Sequence, residues 1–202
     1  HIAGEGAAAL TGVGVCMPLI MIVSSFAALV SSGGAPRASI FMGKKEMGNA
    51  EKTLGSCFTT QIIISLILTA VMLVWNRPML LAFGASENTI EYALSYMNIY
   101  AVGTIFVQLT LGMNAFITAQ GAALTSMLTV LTGAVCNIIL DPIFIFGLNM
   151  GVKGAALATV ISQAVSAIWV LHFLTSEKSQ LRLQKKYLKP DEYKLYRFIY
   201  YR

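Results

Sequence analysis

Charge is what this sequence has least of. Asp and Glu number 9 and Lys and Arg 14 in 202 residues, so only 11% of the chain is charged, against about a quarter in an ordinary soluble domain. Between Glu91 and Asp141 there is no Asp, Glu, Lys or Arg, and none again until Lys153. A water-facing surface needs charge at closer intervals, which excludes a soluble enzyme or binding domain. Cysteine is also scarce. Cys16, Cys57 and Cys136 are odd in number and far apart, which argues against a disulfide framework or a thiolate metal site and leaves them as small packing residues. His1 and His172 are isolated, so no imidazole cluster forms from neighbours in sequence. Internal repeats and low-complexity tracts are absent.

What is present is apolar length. Hydrophobic residues make up 56% of the chain and mean hydropathy is +0.71. A spanning helix needs about 20 apolar residues, and five such windows occur, at 7–30, 54–75, 92–116, 126–146 and 154–174. The expected fold is an all-α membrane protein of five transmembrane helices, one polytopic unit with no room for a soluble domain. The first span carries Gly12, Gly14 and Pro18 and ends in Ser31-Ser32-Gly33-Gly34, which suits a helix packed inside a bundle.

The net charge of +5 invites a nucleic-acid partner, and its distribution rejects one. Arg37, Lys44, Lys45 and Lys52 fall in one connection, a further run extends from Lys178 to Arg202, and the other connections hold only Arg77 and Lys153. Loops rich in Lys and Arg stay cytoplasmic. Residues 31–53 and 175–202 are therefore expected on the cytoplasmic side of the cell membrane, with 76–91 and 147–153 outside and 119–123 cytoplasmic by alternation. The tract L-R-L-Q-K-K-Y-L-K-P within the tail reads as an amphipathic interfacial linker, and the basic excess suits anionic lipid. Five spans put the termini on opposite sides, the chain starts with His, and the basic tail stops at Arg202. The expectation is a piece of a longer protein.

Asp141 is the one carboxylate inside an apolar span. A carboxylate in hydrocarbon costs several kcal/mol and is kept mainly where it meets a cavity, a partner or an ion; the plain alternative is a turn carboxylate beside Pro142. If the fourth and fifth spans turn about Met150, Asp141 lies at the depth of Thr159 and Asn137 at that of Gln163. Asn137 and Asp141 are four apart and share a helix face, as do Thr159 and Gln163. Pro142 has no N–H, so the carbonyl of Ile138 loses its helical partner and the helix should bend there. The set is rich in hard oxygen, suited to Na⁺ at Asp141 or to a proton on its carboxylate. Gln108 and Asn114 of the third span either join helices or, with Gln163, line a cavity. Gly154, Ala158, Ser162 and Ser166 form a small-residue stripe for close helix packing.

Several stretches carry a family resemblance. N-I-I-L-D-P-I-F-I-F-G-L-N-M-G-V-K-G-A-A-L-A-T-V-I-S-Q resembles the fifth and sixth helices of the multidrug and toxic compound extrusion (MATE) transporters. P-R-A-S-I-F-M-G-K-K-E-M-G-N-A-E-K-T-L-G resembles the loop between that family's second and third helices, and F-I-T-A-Q-G its fourth-to-fifth connection. The family has twelve helices in two six-helix lobes. The resemblance makes 1–175 a partial N-terminal lobe, helices two to six, and 176–202 a basic cytoplasmic inter-lobe linker, with helix one and the C-terminal lobe as missing partners. It also implies cation-coupling roles for Asp141, Asn137 and Thr159. The family's further Asp on helix one has no counterpart here, so the resemblance leaves the site incomplete and the chain alone unable to transport.

The expected function is a cation-coupled antiporter, driven by H⁺ or Na⁺ and without another cofactor, that exports an organic cation or drug across the lipid bilayer. A lipid-linked oligosaccharide flippase of the same superfamily should carry basic side chains within its spans, and none is seen. An intramembrane aspartyl protease needs two carboxylates sharing a site, and only one lies in a span. A structural membrane subunit without transport activity is the remaining alternative.

Overall fold

The computed structural model describes residues 5–188; the expectations for 189–202 lie outside the described residues. Five long helices follow one another: α1 (Glu5–Gly43), α2 (Met47–Ala82), α3 (Ile90–Ala119), α4 (Ala123–Pro142) and α5 (Val152–Thr175). A π turn, Ile143–Gly147, extends α4, and a 3-10 turn, Lys185–Tyr187, lies beyond α5. All five helices are long and apolar enough to cross a membrane, as the uncharged windows predict. This is a multi-pass, all-helical membrane protein.

α3 is the centre and packs against all four other helices. Glycine sets several of the contacts. A Cβ on Gly12 of α1 would lie 2.9 Å from Tyr92, one on Gly103 would strike Val160 of α5, and one on Gly112 would strike Gln61 of α2. α1 and α3 run side by side in the same direction, joined by Gln108 Nε2 to the Val23 carbonyl at 2.8 Å and Ser39 Oγ to the Ala119 carbonyl at 3.1 Å.

The helices are longer than the apolar windows, and two expected loops are largely helical. Residues 31–53 hold the last turns of α1, a connection of Lys44, Lys45 and Glu46, and the start of α2. Ser31 and Ser32, which look like helix terminators, turn their hydroxyls back onto the carbonyls of Ala28 and Leu29. Gly34 is spent on close approach to Cys57 and Phe116. The reversal falls instead at Lys45, with φ of 62°. In the 76–91 segment α2 continues to Ala82 after a kink at Trp75 (φ −108°, ψ 20°). Pro78 cannot give an N–H to the Val74 carbonyl, which loosens this turn without ending the helix.

Charge predicts the arrangement of the ends. Gln184 Nε2 reaches Glu51 Oε1 at 2.7 Å and the Gln180 N–H reaches Gln120 Oε1 at 2.7 Å. Residues 44–46, 120–122 and 176–188 therefore share one end, here called the basic end. At the other end Gly12 meets Thr89, and Asn149–Lys153 form a groove with Tyr92 and Ser95. Within the described residues the start of the tail lies on the helix ends. Leu181 is fully buried and Arg182 exposed, an alternation that lets an extended strap lie across helix ends.

The interior has two apolar zones. Val30, Leu54, Met113, Phe116 and Leu174 fill the basic end, and Cys16, Leu19, Met72, Met97 and Tyr100 the other. Between them lies a polar belt of Gln61, Ser65, Thr104 and Gln108, all with 0% exposure.

Candidate functional site

The sequence gives α4 two different sides near its end. Ile138 and Ile139 are 70% and 55% exposed, which suits contact with lipid tails. Asn137 and Asp141, one turn apart, are half-buried on the other flank, where Asn137 Nδ2 donates to Asp141 Oδ1 at 3.4 Å. That length marks a weak bond, so the carboxylate keeps most of its capacity to accept. Among the described residues Asp141 has no ion-pair partner within 4.0 Å; the one salt bridge there joins Arg77 and Glu91 at 3.8 Å.

α5 lies antiparallel to α4. A Cβ on Gly154 would be 2.8 Å from the Phe144 backbone, and Ser166 Oγ donates to the Thr129 carbonyl at 3.2 Å. This register puts Asp141 across from Leu157 and Ala158, within a turn of the expected Thr159. The stripe of Gly154, Ala158, Ser162 and Ser166 is buried throughout, because only small side chains admit α4 so closely. Pro142 is the last residue of α4, and the change to π winding begins directly after it; the Leu148 N–H bonds five residues back to the Ile143 carbonyl at 2.9 Å. The expected bend thus takes the form of a wider turn.

The remaining expected residues divide. Thr159 is half-buried and its hydroxyl donates to its own helix, at the Ala155 carbonyl, 3.0 Å away. Gln163 is half-buried; its backbone carbonyl accepts from Thr110 Oγ1 at 3.1 Å, while its side-chain oxygen is buried with no partner. Asn114 donates to the Ser126 carbonyl at 3.3 Å, and its side-chain oxygen likewise has no partner. Gln108 differs from a cavity-lining residue. It has no exposed surface, and it is sealed between helices with its amide on α1.

Tyr96 was missed. It is 6% exposed, its ring stacks 6.2 Å from that of Tyr100, and its hydroxyl lies beside Thr159. Nothing local in the sequence marks it. The usable signal is general: a phenol deep in an apolar span needs a polar partner, and α5 offers one.

The arrangement offers one carboxylate, two amide oxygens and a hydroxyl between α4, α5 and α3. Such oxygen donors suit a small hard cation or a proton. Among the described residues no three His, Cys, Asp or Glu side chains are grouped as for a multidentate metal site.

Comparison with known proteins gives a consistent result. The family described as MatE matches residues 1–143. The multidrug export protein MepA of Staphylococcus haemolyticus (strain JCSC1435) is 28% identical over 183 residues, 91% of this chain and 40% of that protein. Its counterpart in Staphylococcus aureus (strain NCTC 8325 / PS 47) is 26% identical over 183 residues, covering 91% and 41%. Among solved structures, an inward-facing conformation of a multidrug resistance MATE family transporter of the MOP superfamily superposes with a TM-score of 0.90 at 25% identity, over 98% of this chain and 45% of that one. A structure described as MATE in the bent conformation gives 0.88 at 25% identity, over 97% and 43%. The chain spans about two fifths of the length of the curated relatives it matches.

Proposed function

The chain belongs to the MatE family, and from that premise we propose that it carries the cation-coupling part of a multidrug exporter. A proton or Na⁺ is held at Asp141, with Asn137 and Thr159 beside it, and its binding favours the conformation that releases an organic cation. The observation that carries this reading is the Asn137–Asp141 pair. It places the one carboxylate of an apolar helix half-buried on the flank away from Ile138 and Ile139, with no cationic side chain to neutralise it among the described residues. A carboxylate kept in such a place has to take its counter-charge from elsewhere. The names of the relatives, multidrug export proteins, support the substrate class and do not favour an oligosaccharide flippase.

Coupling requires that the ion bind one conformation more tightly than the other. Moving an equilibrium from 1:99 to 99:1 takes about 5.5 kcal/mol of differential affinity, more than one exposed carboxylate supplies, so partial burial is part of the device. The test uses the full-length protein in lipid vesicles, with dye efflux driven by an imposed H⁺ or Na⁺ gradient. Asp141→Asn keeps shape and hydrogen bonds but fixes the neutral state. It is expected to abolish gradient-driven efflux at unchanged expression. Efflux at the wild-type rate would remove Asp141 from the coupling role.

A further inference from the structure

The strap beyond α5 is held by contacts that a loose connection does not make. Gln120, at the end of α3, turns its Oε1 to three donors at once: Ser179 Oγ at 3.1 Å, the Gln180 N–H at 2.7 Å and the Leu181 N–H at 3.2 Å. Leu181 is fully buried in the apolar zone made by α1, α2, α3 and α5. The Leu183 N–H returns to the Leu174 carbonyl of α5 at 2.8 Å. Further along, Thr59 Oγ1 of α2 donates to the Leu188 carbonyl at 2.7 Å and Gln184 bonds Glu51. Gly55 of α2 has no room for a Cβ, because the Tyr187 backbone lies on it.

We infer that residues 176–188 are a tie that locks the basic ends of α2, α3 and α5 together, with Gln120 as its anchor and Gly55 as its seat. Three helices, α5 separated from the other two by α4, are fixed to one short segment, so relative movement among them at this end requires the strap to detach. The opposite end has no such brace among the described residues. It holds the Trp75 kink, the π turn after Pro142 and the left-handed residues Asn149 and Gly151. Relative movement of α2, α3 and α5 is therefore confined to the end away from the basic loops.

The test is hydrogen exchange and trypsin cleavage on the full chain in lipid nanodiscs. Arg182 and Lys186 are exposed, but a protease needs a detached stretch of backbone around the bond it cuts. In the wild type the amides of Gln180 and Leu181 should exchange at least about 100-fold more slowly than in a free peptide, and cleavage after Arg182 should be slow. Gln120→Ala removes the shared acceptor, and Gly55→Ala drives a methyl into the Tyr187 backbone. Each should raise cleavage in the strap at least about tenfold and speed exchange in 47–59, leaving 143–151 unchanged. Gln120→Glu keeps an acceptor oxygen and should retain more protection than Gln120→Ala. Glu177→Gln, exposed at the surface, should change nothing. Free-peptide exchange at Gln180 and Leu181 in the wild type would overturn the inference even if no variant folds. Unaltered cleavage in both Gln120→Ala and Gly55→Ala would overturn it as well. None of these readouts depends on Asp141 or on transport.

Discussion

Gly112→Ala places one methyl group where the structure has a glutamine. The Cβ would fall on the Gln61 amide, which is 0% exposed and donates Nε2 to the Ala27 carbonyl of α1 at 3.0 Å. Helix propensity alone favours Ala over Gly by about 1 kcal/mol, so a propensity argument predicts stabilisation. Against it stand the overpacking of a closed seam, about 1–3 kcal/mol, and the stranding of a buried amide, another 1–3 kcal/mol or so. The net expectation is destabilisation by about 1–5 kcal/mol, read from SDS-induced unfolding of the chain in mixed micelles. A second variant separates this from a general loss of fold. Gln61→Ala empties the space the new methyl needs, so the double variant should be more stable than the sum of the singles by about 1–3 kcal/mol, the range expected for side chains in contact. A stabilising Gly112→Ala, or a cycle with no coupling, would refute the reasoning and dissolve the polar seam as a structural element.

Two further outcomes follow from the packing and from the charges. Gly133→Val should separate α4 from α5, since any Cβ there meets Ser166 Oγ; a cysteine pair across the two helices should then cross-link at least about tenfold more slowly, and unchanged cross-linking would show that the register is wrong. Lys45→Cys and Lys153→Cys, at opposite ends of the bundle, should not both react with an impermeant maleimide added outside sealed, uniformly oriented vesicles. Labelling of both from one side would break the topology.

Much of the fold is legible because it rests on one physical quantity, the cost of charge in hydrocarbon. The five helices and the common end of the basic segments come from where Lys, Arg, Asp and Glu are missing. Helix ends are less legible. Ser31, Ser32, Gly34 and Pro36 are each a stop signal in water, yet here serine bonds its own helix, glycine serves close packing and the proline stays exposed on the surface. The Asn137–Asp141 pair is legible because a spacing of four is local. Tyr96 and the strap are not, since each depends on contacts between residues far apart in sequence, such as Thr59 with Leu188. Gln108 shows the limit most plainly. An amide in an apolar span announces a need for a partner without saying whether that partner is a ligand or a neighbouring helix.

The face it occupies decides that question. At about 100° per residue, Gln108 and Gly112 lie on one side of α3, while Thr110 and Asn114 lie roughly opposite. The first side meets α1 and α2, where Gln108 holds the Val23 carbonyl and Gln61 the Ala27 carbonyl, one turn apart. Both glutamines have no exposed surface, so a ligand has no access to them, and they hold α1 at its middle. The second side meets α4 and α5, where Thr110 bonds the Gln163 carbonyl and Asn114 the Ser126 carbonyl. Here Asn114 and Gln163 are half-buried residues, although their side-chain oxygens, like those of Gln61 and Gln108, are buried without a partner. An unpartnered buried oxygen is a cost on either side, so what distinguishes the two sides is how far the residues that carry it are enclosed. One helix therefore carries a sealed fastening on one side and a less enclosed seam on the other. The less enclosed seam is the one made with α4, the helix that carries Asp141 nearer its other end.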